Sequence, residues 1–350
     1  MATSHLDLQY RFFVVGERPF CLWDFDIKPH VVMFLDSIDP SYFEYVADAN
    51  LKWIQEAAED DPNARGHAAI ALRAAYGQAL ETLFALIAAF LQAPRCLPAW
   101  LALYKTQEVF DIVRAIDQSA SLRSQFQLEK PSWRSVAELI LSWLVLEDKE
   151  KEKAVKQGLA DLWRRFASDF LDQGSSNEYN SIKHGFRIRP GGFHLSIGTE
   201  DKPGQPAPPE RMHLLGKSDF GSSFLVPTAL GEWPHHVQLV RHSRNWAPED
   251  FAWGLHLISL SLTNVISAAK VINEVPATDV KLHWPSELSV LSEPWKRRPT
   301  VGVTSMRGPH SAIAPDLINP YSRADILQRY SEGNDAGIRR VKFGPTPSTP

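Results

Sequence analysis

Cysteine is scarce in this chain of 350 residues: Cys21 and Cys96 are its only two. Two thiols cannot build a disulfide framework. Both sit in apolar company, Phe20-Cys21-Leu22 and Arg95-Cys96-Leu97, the setting of buried, reduced thiols. Long apolar runs are also missing. The longest, Leu83 to Leu91, covers nine residues, whereas a membrane-spanning helix needs about 20. The opening Met1-Ala2-Thr3-Ser4-His5-Leu6-Asp7 has neither a basic n-region nor an apolar h-region, so no signal peptide is expected. These absences read as a cytoplasmic chain with no membrane contact. No Gly-rich phosphate loop, dinucleotide fingerprint, Gly-x-Ser-x-Gly elbow, paired Cys-x-x-Cys or His-Glu-x-x-His occurs. Most nucleotide-binding and hydrolase classes are thereby disfavoured, and no cofactor is expected.

What is present is ordinary for a globular protein, at 44% hydrophobic and 22% charged, apart from 11 Trp and 25 Pro. The net charge of −4 hides an asymmetry: residues 293–343 hold nine Lys/Arg against five acids, a local +4 on a body of −8. A basic tail of this kind either touches nucleic acid or folds back on its own acidic body.

Helical periodicity dominates. Asp39-Pro40 opens a helix to about Ala58. A second, from about Ala64 to Leu91, is apolar nearly all round and stops before Pro94, as a helix central to a bundle does. Shorter helices are expected at about 97–116 and 132–146. After the charge run from Glu147 to Lys153, Leu159, Leu162, Trp163, Phe166 and Phe170 mark a helix to about Leu171. Phe193, Leu195 and Ile197 then alternate with polar residues as a strand, and 212–215, 224–226 and 237–240 supply partners. Helix returns from Pro248 to about Val275. The fold class expected is mainly α: a helical bundle over 39–275 with a small β-rich insertion at about 190–245. An extended, β-like segment over 1–38 precedes it, and a Pro-rich, partly disordered tail over 276–350 follows.

The most informative residues are Tyr179-Asn180-Ser181-Ile182-Lys183-His184-Gly185. On a helix, Asn180, Lys183, His184 and Arg187 share one face near its C-terminal end. His184 can pass protons near neutral pH, Lys183 or Arg187 can stabilise charge developing on a phosphate, and Asn180 can orient a ligand or the ring. The alternative is a helix end whose His and Asn merely satisfy neighbouring carbonyls. Arg73 and Glu81 interrupt the apolar 64–91 helix on nearly the same side, with Tyr76 and Gly77 between. Either Arg73, Tyr76 and Glu81 line a substrate-binding cleft that also receives His184, or Arg73 and Glu81 each pair with another helix. Gly77, costly inside a helix, allows close approach of another backbone. His235 and His236 would face opposite sides of a strand and could not easily share an ion, even with His242 nearby, so no metal site is expected. Arg241, Arg244 and Trp246 could form a basic-aromatic nucleic-acid patch.

A polar motif ending in His-Gly late in a helical body loosely resembles the HEPN superfamily, small helical bundles of bacterial toxins, abortive-infection proteins and RNA-processing enzymes. Active members carry Arg, often followed by Asn, four to six residues before a His. His184 matches the His and Asn180 the polar residue. No Arg lies between Gln173 and Lys183, and Glu178 stands where one would be expected. The resemblance implies metal-independent action on RNA in a cleft between two protomers, hence RNA as partner and a homodimer. A non-catalytic helical module binding a protein partner is the alternative.

Overall fold

The computed structural model describes residues 11–23, 27–56, 61–230, 236–292, 301–308 and 321–332, and these are mainly helical. The chain divides into two units, Met1–Leu225 with His242–Arg307, and Val226–Arg241 with Gly308–Pro350.

In the first unit, β1 (Arg11–Val15) and β2 (Arg18–Leu22) pair as an antiparallel hairpin. Its turn uses Gly16 at φ +61°, a conformation glycine adopts without a Cβ clash. The extended reading of 1–38 is corrected beyond the hairpin. Lys28–Ser37 forms a helix, α1, with Pro in its first turn and Val31 and Leu35 buried one turn apart. β-branched and aromatic residues make 20–35 look strand-like, but the i, i+4 spacing of its apolar side chains suits a helix.

Next come α2 (Ser41–Glu56), α3 (Pro62–Gln92), α4 (Leu97–Leu103) and α5 (Thr106–Asp117). They are followed by α6 (Trp133–Ile140), α7 (Lys149–Leu171), α8 (Gln173–Lys183) and, after the strands, α9 (Pro248–Ile272). The helix expected at 97–116 is two helices, and the one expected at 132–146 ends at Ile140. The Asp61 carboxylate caps α3 by accepting from the Ala64 N–H at 3.0 Å. α3 touches α2, α4, α5, α7, α8 and α9, which is why its apolar residues run around the whole circumference. Leu72, Leu83, Phe84 and Phe90 are almost wholly buried, each removal from water contributing ~1.5–3 kcal/mol. α3 and α9 are long and apolar enough to cross a membrane, with 83% and 67% of the relevant stretch buried inside the molecule. Counting uninterrupted apolar runs misses α3, where Gln78, Glu81 and Thr82 interrupt a stretch whose mean hydropathy stays high.

The strands are β3 (Ile188–Pro190), β4 (His194–Ile197), β5 (His213–Lys217), β6 (Gly221–Ala229), β7 (Val237–Asn245), β8 (Val301–Gly302) and β9 (Ser305–Arg307). They form a sheet of order β3-β6-β7-β9 and another of order β4-β5-β8. Two of these strands come from residues expected to be tail. Residues 281–291 also belong to the folded body: Asn264 Nδ2 donates to the His283 carbonyl at 2.8 Å, and Leu291 is buried. The 276–350 boundary is therefore too early. Gly344 to Pro350 lie outside the described residues.

In the second unit, the Leu230 N–H donates to the His236 carbonyl at 2.8 Å. α10 (Arg323–Ser331) is capped by the Ser322 hydroxyl, and the Arg329 guanidinium lies 4.3 Å from the centre of the Tyr321 ring.

Candidate functional site

α3 and α8 approach closely because position 77 has no side chain. A Cβ on Gly77 would collide with the ring of Tyr179. What Gly77 admits is thus an aromatic ring, where a backbone was expected. Gly254 on α9 does the same for Tyr76, whose ring a Cβ would meet at 2.5 Å. The two tyrosines bound a cavity of about 210 Å³ among α3, α5, α7, α8, the end of β7 and the start of α9.

At its base lies a buried ion pair. Arg73 is 3% exposed; its Nε donates to Glu178 Oε2 at 2.8 Å and its Nη2 to the Ser175 carbonyl at 3.1 Å. The guanidinium stands 5.1 Å from the Phe251 ring centre. Glu178 also accepts from Trp246 Nε1 at 2.9 Å and from the Ser222 hydroxyl. Burial alone would raise its carboxyl, but the charges of Arg73 and Arg244 and these hydrogen bonds hold it below the ordinary range.

Beside it, the Tyr76 hydroxyl donates to Asp169 Oδ2 at 2.6 Å. Burial pushes the Asp169 carboxyl up, against the pull of the Tyr76 hydrogen bond and Arg73. Burial, with the nearby Asp169 charge, also lifts the Tyr76 phenol well above its usual value. Arg244 Nη1 donates to Asp172 Oδ2 at 2.9 Å and Ser175 Oγ at 3.0 Å. At the mouth, Glu81 accepts from Lys183 Nζ at 3.0 Å, from Thr106 Oγ1 at 3.1 Å and, at the long limit of 3.5 Å, from the Tyr179 hydroxyl. Burial and then the Glu81 charge keep that phenol protonated far above neutral pH.

The structure brings Arg73, Tyr76, Glu81, Asn180 and Lys183 to one cavity. It also pairs Arg73 with Glu178 and Glu81 with Lys183, both on α8, as the pairing reading of these charges expected. It does not bring His184 or Arg187 there. α8 ends at Lys183 and His184 is its cap residue, with an exposed side chain. Gly185 at φ +101° and Phe186 at φ +51° then turn the chain, and the Phe186 N–H returns to the Ile182 carbonyl at 3.2 Å. The four-residue face expected from helical spacing is therefore broken. Asn180 and Lys183 look into the cavity, while His184 and Arg187 lie on the surface beyond it.

Sequence reasoning missed Asp169 and did not foresee the partner of Glu178. Asp169 was detectable as a carboxylate beside Phe166 and Phe170 on the buried stripe of α7. Arg244 and Trp246 line the cavity, and Trp246 is only 8% exposed, so they are not a surface nucleic-acid patch. His235 lies outside the described residues. Among those described, no group of three His, Cys, Asp or Glu is placed to hold a metal ion.

Comparison with known proteins gave no significant match to a family model, a curated protein or a solved structure. Fold and site together define a mainly α protein with a polar, aromatic-walled cavity between its longest helix and α8.

Proposed function

We propose that this chain is a HEPN-like helical bundle that acts on RNA at the turn following α8. The observation that carries the reading is the make-up of that turn. His184 and Arg187 in the turn, and Arg189 in β3, are exposed, and Phe186 among them is 55% exposed in a left-handed conformation. An aromatic ring held out between cations is the arrangement on which single-stranded bases stack while phosphates are neutralised. His184 is the general acid/base, and Arg187 stabilises the developing phosphate charge. Lys183 is less suited to that role, being engaged by Glu81. A second copy, in the manner of the superfamily, completes the cleft.

The test is cleavage of a mixed-sequence RNA in chelator by the parent and by His184→Ala. A drop of about 10²-fold or more supports the reading; a parent that neither cleaves nor binds RNA ends it. The second reading, a non-catalytic module for a protein partner, draws on α2. There Tyr42, Tyr45 and Trp53 are 52%, 73% and 64% exposed on one helix, more aromatic surface than solvent favours.

A further inference from the structure

We infer that the cavity between α3 and α8 binds a neutral, planar heteroaromatic molecule of the nucleobase kind. Three observations converge on that class. The first concerns size and walls. About 210 Å³ is below the ~300–1,000 Å³ of pockets for drug-sized ligands, so the occupant is small. The rings of Phe110, Tyr179, Trp246 and Phe251 line the space, and aromatic faces favour a flat partner.

The second concerns charge. Each cation at the cavity already has its acid: Arg73 has Glu178, Arg244 has Asp172 and Lys183 has Glu81. An anionic ligand would have to compete with the paired acids for these cations, one pair being buried, and would also meet the Asp169 carboxyl group. A neutral molecule leaves them intact.

The third concerns the polar valences left over. The hydrogen bonds of Arg73 use Nε and Nη2, leaving the Nη1 amino group free to donate. Asp169 accepts from Tyr76 through Oδ2 only, leaving Oδ1 free to accept. Neither atom is sealed away as a buried unsatisfied group, and both residues line the cavity. Asn180 adds an amide with a donor and an acceptor, and among the described residues no hydrogen bond engages its side chain. Donor, acceptor and amide in one aromatic-walled space match the mixed edge of a nucleobase, which proteins read by such hydrogen bonds together with stacking. A bare carboxylate offers acceptors alone, and either a carboxylate or a phosphate would set a negative charge beside the Asp169 carboxyl group.

The inference does not need the RNA reading, because a free base or nucleoside satisfies it. The test is calorimetric titration of the full chain with adenine, guanine, cytosine and uracil, with inorganic phosphate and acetate as ionic probes. The expected result is binding of at least one base with Kd below about 1 mM. Asn180→Ala and Asp169→Asn should each weaken it about tenfold or more, while phosphate and acetate do not bind. Asn180 is exposed, so its variant keeps the fold even if the Asp169 variant does not. No base bound, binding that Asn180→Ala leaves untouched, or tighter binding of phosphate or acetate overturns the inference. RNA cleavage by the parent, measured alongside, separates the two proposals: base binding without cleavage removes only the RNA reading, and cleavage without base binding removes only this one.

Discussion

Glu178 and His184 belong to the same short stretch of chain, yet the first is fully buried under Arg73 and Trp246 while the second is exposed at the end of α8. The helical side of this stretch is built into the body: its carboxylate is paired, its tyrosine fills the space Gly77 leaves, and its lysine is tied to Glu81. The turn side is held by backbone hydrogen bonds to the last turn of α8 and by the pairing of β3 with β6 that follows. Charged and titratable residues therefore serve opposite ends on the two sides. Under α8 they are structural first, and available to a ligand only through unused valences. From His184 to Arg189 they are exposed, which is where acid/base or phosphate-binding work costs the fold least.

Breaking the buried side should have the largest effect. Arg73→Ala leaves Glu178 charged and unpaired in the interior, and unfolding in denaturant should show a loss of about 3–5 kcal/mol. A loss under 1 kcal/mol would mean the pair is not what holds α3 to α8. Gly77→Ala comes next. The added methyl must displace the Tyr179 ring, an overpacking expected to cost ~1–3 kcal/mol, visible as a lower denaturant midpoint at unchanged slope.

The pH dependence sharpens the same contrast. The folded Glu178 carboxyl lies below its ordinary 4.5. Its stabilisation is full above the unfolded value and is lost as pH falls through the folded one. Stability of the parent should fall on acidification below about pH 4.5 more steeply than that of Glu178→Gln. Asp169 works in the opposite sense. With its folded pKa raised, it favours the folded state at low pH and loses that contribution as pH rises. Equal acid slopes in parent and Glu178→Gln would contradict the assignment.

The turn should give the smallest changes. His184→Ala is expected to shift stability by no more than about 0.5 kcal/mol, as exposed substitutions do. Phe186→Gly should be neutral or stabilising by up to ~1 kcal/mol, because glycine tolerates the left-handed conformation. A loss of 2 kcal/mol or more in either would make the turn part of the body and erase the comparison.

Much of this was legible from residues alone. α3 was expected from about Ala64 to Leu91, on Pro94 past its end and apolar side chains throughout, and runs Pro62–Gln92; α7 and α9 follow from stripes at helical spacing. Arg73 and Glu81 stood out because charges on an otherwise apolar helix need partners. The separation of His184 from Lys183 was not legible, since it depends on backbone angles at Gly185 and Phe186, and a spacing rule assumes the helix continues. Nor was α1, where composition and periodicity disagree.

By itself the sequence determined the helical content and the centrality of α3, because periodicity and burial of apolar surface act locally along the chain. Only the tertiary structure decided that Glu178 meets Arg73, that Asp169 and Arg244 join them from α7 and β7, and that His184 stays outside. Those outcomes depend on where remote segments pack, and on two glycines whose missing side chains make room for rings far away in sequence.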